Sequence, residues 1–232
     1  MIFTTESGMQ QVTNLLHQYD ELVVLSQDES LIILSGYIQI DCTAREYWVC
    51  KKYHVQIGIP LNSDDLPYVI DDDNQVDQSY PHKYSDGKLC TETDSAIRIR
   101  FIGGFDLVAW MAEFVETYFF SYEYYQRFGE FPFGERGHNL EGIIETYSDL
   151  FHEKDSVKTL RLMGAVSSQR YRGHYPCPCG SGKRLRSCHG PYLFDFYTDE
   201  RLNSIVKKDF SMIKEEVIRR QNEQQRNSRT SK

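Results

Sequence analysis

The chain has 232 residues, of which 40% are hydrophobic, 13% aromatic and 26% charged. This composition supports a packed core and excludes a disordered chain, a coiled-coil rod and a collagen-like fibre. The net charge of -8 conceals a split: residues 1–150 carry 9 Lys and Arg against 25 Asp and Glu, whereas residues 151–232 carry 17 against 9. Such asymmetry points to two modules with different surfaces, and the length suits one ordinary domain plus something smaller. No apolar run approaches the ~18–20 residues needed to span a bilayer, so no membrane partner is expected. The start, MIFTTESGMQQ, lacks the basic and apolar regions of a secretory signal, and a cytoplasmic location is expected.

In chain order, Met9, Val12, Leu15, Leu16 and Tyr19 predict a short amphipathic helix over 7–19, starting near Ser7. An apolar, β-branched run at 31–40 predicts a strand, followed by a break at DCTARE. Over 47–60, Tyr53, Val55, Ile57 and Ile59 alternate with His54, Gln56 and Gly58, the period of a strand with one buried face, and Pro60 ends it. A third short strand at 67–70 completes an antiparallel meander. Residues 71–95 show no sustained periodicity and predict a long structured loop, the kind that carries chemistry. A long helix is predicted from Asp106 to about Arg127, then helices over 139–152 and 155–163, and a final one over 199–222 before a frayed polar tail.

Six cysteines are present, and three of them crowd into one segment, Cys177-Pro-Cys179-Gly-Ser-Gly-Lys-Arg-Leu-Arg-Ser-Cys188-His189. Two thiols one residue apart, then a Cys-His pair, supply four soft or borderline ligands suited to tetrahedral Zn²⁺ in a closed structural shell. Gly180 and Gly182 let the backbone fold back so that both pairs meet. This string resembles the SEC-C motif, a small zinc module at the C-terminus of the SecA translocase and of other bacterial proteins. In that family the module is thought to serve protein contacts.

A second candidate is the string from Tyr80-Pro81-His82 to Asp86-Gly87-Lys88-Leu89-Cys90. A cysteine in a long polar loop is more exposed than a core thiol, so Cys90 is either a nucleophile or an incidental thiol. The order helix, meander, cysteine-bearing loop, helices resembles the ubiquitin-conjugating (UBC-like) fold, in its divergent bacterial branch found in antiphage defence operons. In that family a His-Pro-Asn tripeptide begins ten residues before the active cysteine, with Gly at minus three and an apolar residue at minus one. Pro81, Gly87 and Leu89 match those positions, whereas Tyr80 and His82 depart from the tripeptide. The resemblance implies an α+β protein in which Cys90 carries an activated C-terminal carboxyl group as a thioester and passes it to an amine. His82 would take the asparagine's place as oxyanion donor, or act as general base. The implied partners are a ubiquitin-like donor with a C-terminal glycine, an activating enzyme to load it, and a cyclic-nucleotide synthase as target. The competing class is a non-catalytic adaptor that recruits a protein, or with less support nucleic acid, through the zinc module. A free cysteine hydrolase is the third.

Other features carry less. Asp71-Asp72-Asp73-Asn74 fails as a calcium loop, having Val76 and His82 where an EF-hand needs Gly and Glu, and is expected to be a solvated acidic turn. The aromatic run from Tyr118 to Phe133 contains Glu116, Glu123 and Glu130 nearby and a single cation, Arg127, so packing is expected rather than base stacking. His138 is expected to cap or pack, and Cys42 and Cys50 to be buried or half-buried thiols. The expected division is a UBC-like domain over 1–160 and a zinc module with a terminal helix over 161–232.

Overall fold

The structure is a computed structural model that describes residues 2–135, 137 and 139–230, with side chains up to 223; His138 lies outside the described residues. The chain forms two compact units, one of residues 1–97 and 103–135, the other of 98–102 and 136–232. The helices between 140 and 168 therefore pack with the cysteine module. Among the described residues no helix is long and apolar enough to cross a membrane.

The first unit opens with α1 (Thr5–Gln18), which buries Gly8, Val12 and Leu15. It starts ahead of the expected position because Thr4 is the N-cap and Ser7 its reciprocal partner, Ser7 N donating to Thr4 Oγ1 at 3.1 Å and Thr4 N to Ser7 Oγ at 2.9 Å. Four antiparallel strands follow in the order β1-β2-β3-β4: β1 (Leu22–Gln27), β2 (Leu31–Ala44), β3 (Tyr47–Pro60) and β4 (Tyr68–Asp71). The α+β meander is thus present with one strand more than expected. β1 escapes pattern reading because only Leu22 of its six residues is buried, as suits an edge strand. Nor does β2 break at Asp41. It pairs with β3 through Ala44↔Tyr47 and turns on two residues, Arg45 and Glu46, at φ 51° and 60°, the left-handed pair a tight hairpin requires.

The buried face of the sheet carries Ile32, Leu34, Ile38 and Ile40 of β2 and Tyr53, Val55, Ile57 and Ile59 of β3, each no more than 1% exposed. The predicted long helix packs on it. Asp106 caps α3 (Leu107–Trp110), a π-helical turn (Met111–Val115) follows, and α4 (Glu116–Phe128) ends on left-handed Gly129. Tyr53 stacks on Phe119 with ring centroids 4.1 Å apart, so the aromatic run does supply core. A short helix, α2 (Asp94–Arg100), was not expected.

The second unit contains α5 (Leu140–Phe151), α6 (Ser156–Ser168), α7 (Gly190–Thr198) and α8 (Glu200–Thr230). α6 runs five residues beyond its expected end, α7 was unexpected, and α8 continues through the tail that was expected to fray. Tyr147, Phe151, Leu162, Met163, Val166, Leu193, Phe196 and Val206 form one core with Cys177, Cys179 and Leu185. A buried hydrogen bond, Tyr147 Oη to Asp209 Oδ2 at 2.6 Å, joins α5 to α8 within it.

Candidate functional site

The cysteine segment folds as a small knuckle. Pro176 bridges to Arg184, Cys177 N donates to Lys183 O at 2.8 Å and Leu185 N to Tyr175 O at 2.8 Å. Between these arms the chain reverses at Gly180, where Gly180 N donates to Cys177 O and φ is 82°, a conformation that costs a Cβ-bearing residue ~1–2 kcal/mol. A 3₁₀ turn (Leu185–Ser187) then delivers Cys188, and His189 is the N-cap residue of α7. The next residue must be small: a Cβ at Gly190 would lie 2.6 Å from Leu185 O.

The result brings all four expected ligands together. The ligand atoms of Cys177, Cys179, Cys188 and His189 lie within 4.8 Å of one another. His189 Nδ1 is 3.3 Å from the sulfurs of both Cys177 and Cys188, and the Cys179 and Cys188 sulfurs are 3.7 Å apart. A four-coordinate ion at ~2.3 Å from sulfur and ~2.0 Å from nitrogen has edges of ~3.8 Å for S···S and ~3.5 Å for S···N. Three of the six ligand pairs are near those lengths, and all six lie within 4.8 Å. All three thiols are free, and burial pushes Cys177 up to about 12. A metal ion bound here would take the place of the thiol protons. With four ligands the shell is closed, which suits a cross-link rather than catalysis. Lys183, Arg184 and Arg186, the cations between the two ligand pairs, are exposed.

In the first unit, residues 82–90 form a miniature hairpin. Cys90 N donates to His82 O at 2.8 Å and Tyr84 N to Lys88 O at 2.9 Å, flanking the antiparallel bridge Lys83↔Leu89. Its outer arm joins the sheet, Leu89 N donating to Val69 O at 2.9 Å and Lys88 bridging to Ile70. This ladder sorts the side chains by alternation. Lys83 and Leu89 turn inward, whereas His82, Tyr84, Lys88 and Cys90 share the other face, with His82 directly opposite Cys90. Directly opposed residues hold their Cβ atoms ~5 Å apart.

What fixes the hairpin is a pair the sequence did not disclose. Lys83 Nζ lies 3.0 Å from Asp71 Oδ2 and 2.9 Å from Val76 O, both side chains of the ion pair being fully buried. Asp71 also accepts from Gln75 N at 3.0 Å and Val76 N at 2.8 Å. The supposed solvated acidic turn therefore begins with a buried carboxylate that has satisfied partners. Tyr80, at the position that departs from the family pattern, is 3% exposed and lies edge-on to Tyr118, Tyr122 and Tyr125 at 5.1–5.7 Å. The His82 ring meets Tyr80 and Phe131 edge-on at 5.7 and 5.3 Å.

Cys90 is partly buried, and burial is the main force that pushes its thiol up. Glu92 and Asp94 push the same way, while a hydrogen bond with Tyr84 opposes them. The sulfur is thus held as a thiol near neutral pH, the opposite of the low-pKa thiolate of cysteine hydrolases. Tyr84 went unassigned in the sequence, because only the ladder register shows that it shares the Cys90 face. Cys42 is half-buried as expected, but Cys50 is exposed and takes a hydrogen bond from Gln39 Nε2 at 3.6 Å. Compared with known proteins, the chain matches no family model, no curated protein and no solved structure.

Proposed function

We propose that the first unit is a UBC-like acyl carrier with Cys90 as its nucleophile and that the second is a zinc-stapled recruitment module of the SEC-C kind. The observation that carries the first part is the hairpin, which sets His82 opposite Cys90 and brings Tyr84 to the same sulfur. In the loading step the Cys90 sulfur attacks the activated carbonyl of a donor protein's C-terminus. A C–S bond forms, the bond to the activating enzyme's sulfur breaks, and that sulfur takes the proton Cys90 gives up. An amine then attacks the thioester, its nitrogen loses a proton to His82 or water, and Cys90 leaves. The raised thiol suits a carrier, since the sulfur needs to ionise only when the acyl donor arrives. Tyr84 Oη and a His82 ring nitrogen are donors on this face for the carbonyl oxygen. Replacement of Cys90 by Lys tests the reading: a loaded Cys90→Lys chain gains the donor mass less one water and keeps it in thiol.

Zinc suits the second unit because its three thiolates and one imidazole meet the preference of that ion for a closed tetrahedral shell. When bound, it cross-links the knuckle to the start of α7. The adaptor reading draws support from this unit alone: Arg161, Arg172, Lys183, Arg184 and Arg186 are exposed and, among the described residues, enter no ion pair. A surface of that kind favours an acidic protein partner.

A further inference from the structure

One carboxylate beside the four ligands has no part in the fold described so far. Glu153 lies in the connection between α5 and α6, and its side chain is 14% exposed. Its Oε2 is 3.5 Å from His189 Nε2, while Oε1 accepts from Asp155 N at 3.1 Å. Asp155 in turn caps α6, accepting from Val157 N at 2.9 Å and Lys158 N at 3.1 Å. The Glu153 backbone is equally held, its N–H donating to Ser148 O at 2.9 Å and its carbonyl accepting from the Thr159 hydroxyl at 3.4 Å. The carboxylate is therefore delivered to the histidine by a rigid frame.

His189 turns Nδ1 toward the sulfurs and Nε2 toward Glu153. An ion on Nδ1 leaves the one ring proton on Nε2, the nitrogen 3.5 Å from the carboxylate. Carboxylates that take this proton fix the orientation and tautomer of metal-bound imidazoles and raise their basicity. We propose that Glu153 is the outer-sphere positioning residue of the metal centre and that it couples the ion to the N-terminus of α6. The inference rests on the metal reading above and goes beyond it, since it joins the four-ligand string to a residue 36 positions earlier.

The test uses the full chain, stripped and reloaded with Zn²⁺ alone, its affinity read by competition with a chromophoric chelator. Glu153→Ala should weaken Zn²⁺ binding ~10- to 100-fold, and Glu153→Gln, which keeps an acceptor for Nε2–H, should recover most of that loss. Co²⁺ absorption should remain tetrahedral in all three proteins, showing that the four ligands stay. Metal removal should speed amide exchange over 153–158 in the wild type and change it little in Glu153→Ala. Equal Zn²⁺ affinity in wild type and both variants would overturn the assignment while leaving the metal centre intact. A Co²⁺ spectrum showing a lost ligand in Glu153→Gln would assign Glu153 to folding instead. A wild type that takes up no ion would overturn the metal reading, and this inference with it.

Discussion

Replacing Lys83 by Met should destabilise the first unit far more than a surface charge would. The substitution keeps the length of the side chain and removes a cation whose carboxylate partner, Asp71, is fully buried. Removing one member of a buried pair costs ~3–5 kcal/mol because the other charge is left uncompensated. Asp71 retains two backbone N–H donors, from Gln75 and Val76, which places the cost near the lower end, about 3 kcal/mol. With a urea dependence of ~1–3 kcal/mol per molar, the midpoint should fall by ~1–3 M. Urea titrations followed by tryptophan fluorescence would read this. Asp71→Asn placed on top of Lys83→Met should recover part of the loss by removing the stranded charge. A loss below ~1 kcal/mol for Lys83→Met would refute the reasoning, since it would mean that water reaches the pair and that Asp71 belongs to a solvated turn after all.

Three further outcomes are expected. Because the folded Cys90 pKa is raised by burial, Glu92 and Asp94, its alkylation by iodoacetamide should keep accelerating above the pH where an ordinary thiol levels off. Tyr84→Phe should move that profile further up and Glu92→Gln down; by the same sign, the thiol's contribution to stability is intact below the ordinary thiol pKa and is lost as pH rises past it. Gly180→Ala, at φ 82°, should cost the second unit ~1–2 kcal/mol and weaken metal binding in a chelator titration. Stripping the metal should lower the melting temperature of the second unit, because Cys177 and Cys179 are built into its core; calorimetry with and without a chelator checks this, and an unchanged transition would contradict it.

Strand β3 was legible in the sequence because a strand with one dry face imposes period two, and Tyr53 to Ile59 obey it, whereas the β2–β3 turn at Arg45 and Glu46 reads as a break. The metal string was legible because its ligands are close in sequence and its glycines mark the reversal. What escaped was set by tertiary context. β1 has Val23, Val24 and Leu25 exposed, at 61%, 43% and 58%, so its apolar run does not alternate. The Lys83–Asp71 pair spans 12 positions and Glu153–His189 spans 36, distances over which no local period operates. Tyr84 stood within the quoted motif, yet its neighbourhood to Cys90 follows from ladder register, which sequence leaves open. The assignment of α5 and α6 to a unit is similar: their apolar faces are visible in the sequence, but not which core they cover.

The most direct test of the central claim is the intact mass, under non-reducing conditions, of the chain purified after co-expression with its genomic neighbours. Wild type should carry an adduct that thiols remove, Cys90→Ala should carry none, and the adduct mass should equal that of one neighbour less one water. An unmodified wild type with every neighbour, together with a Cys90 that no acyl donor loads, would contradict the carrier reading and leave the metal-bearing second unit as the functional part of the molecule.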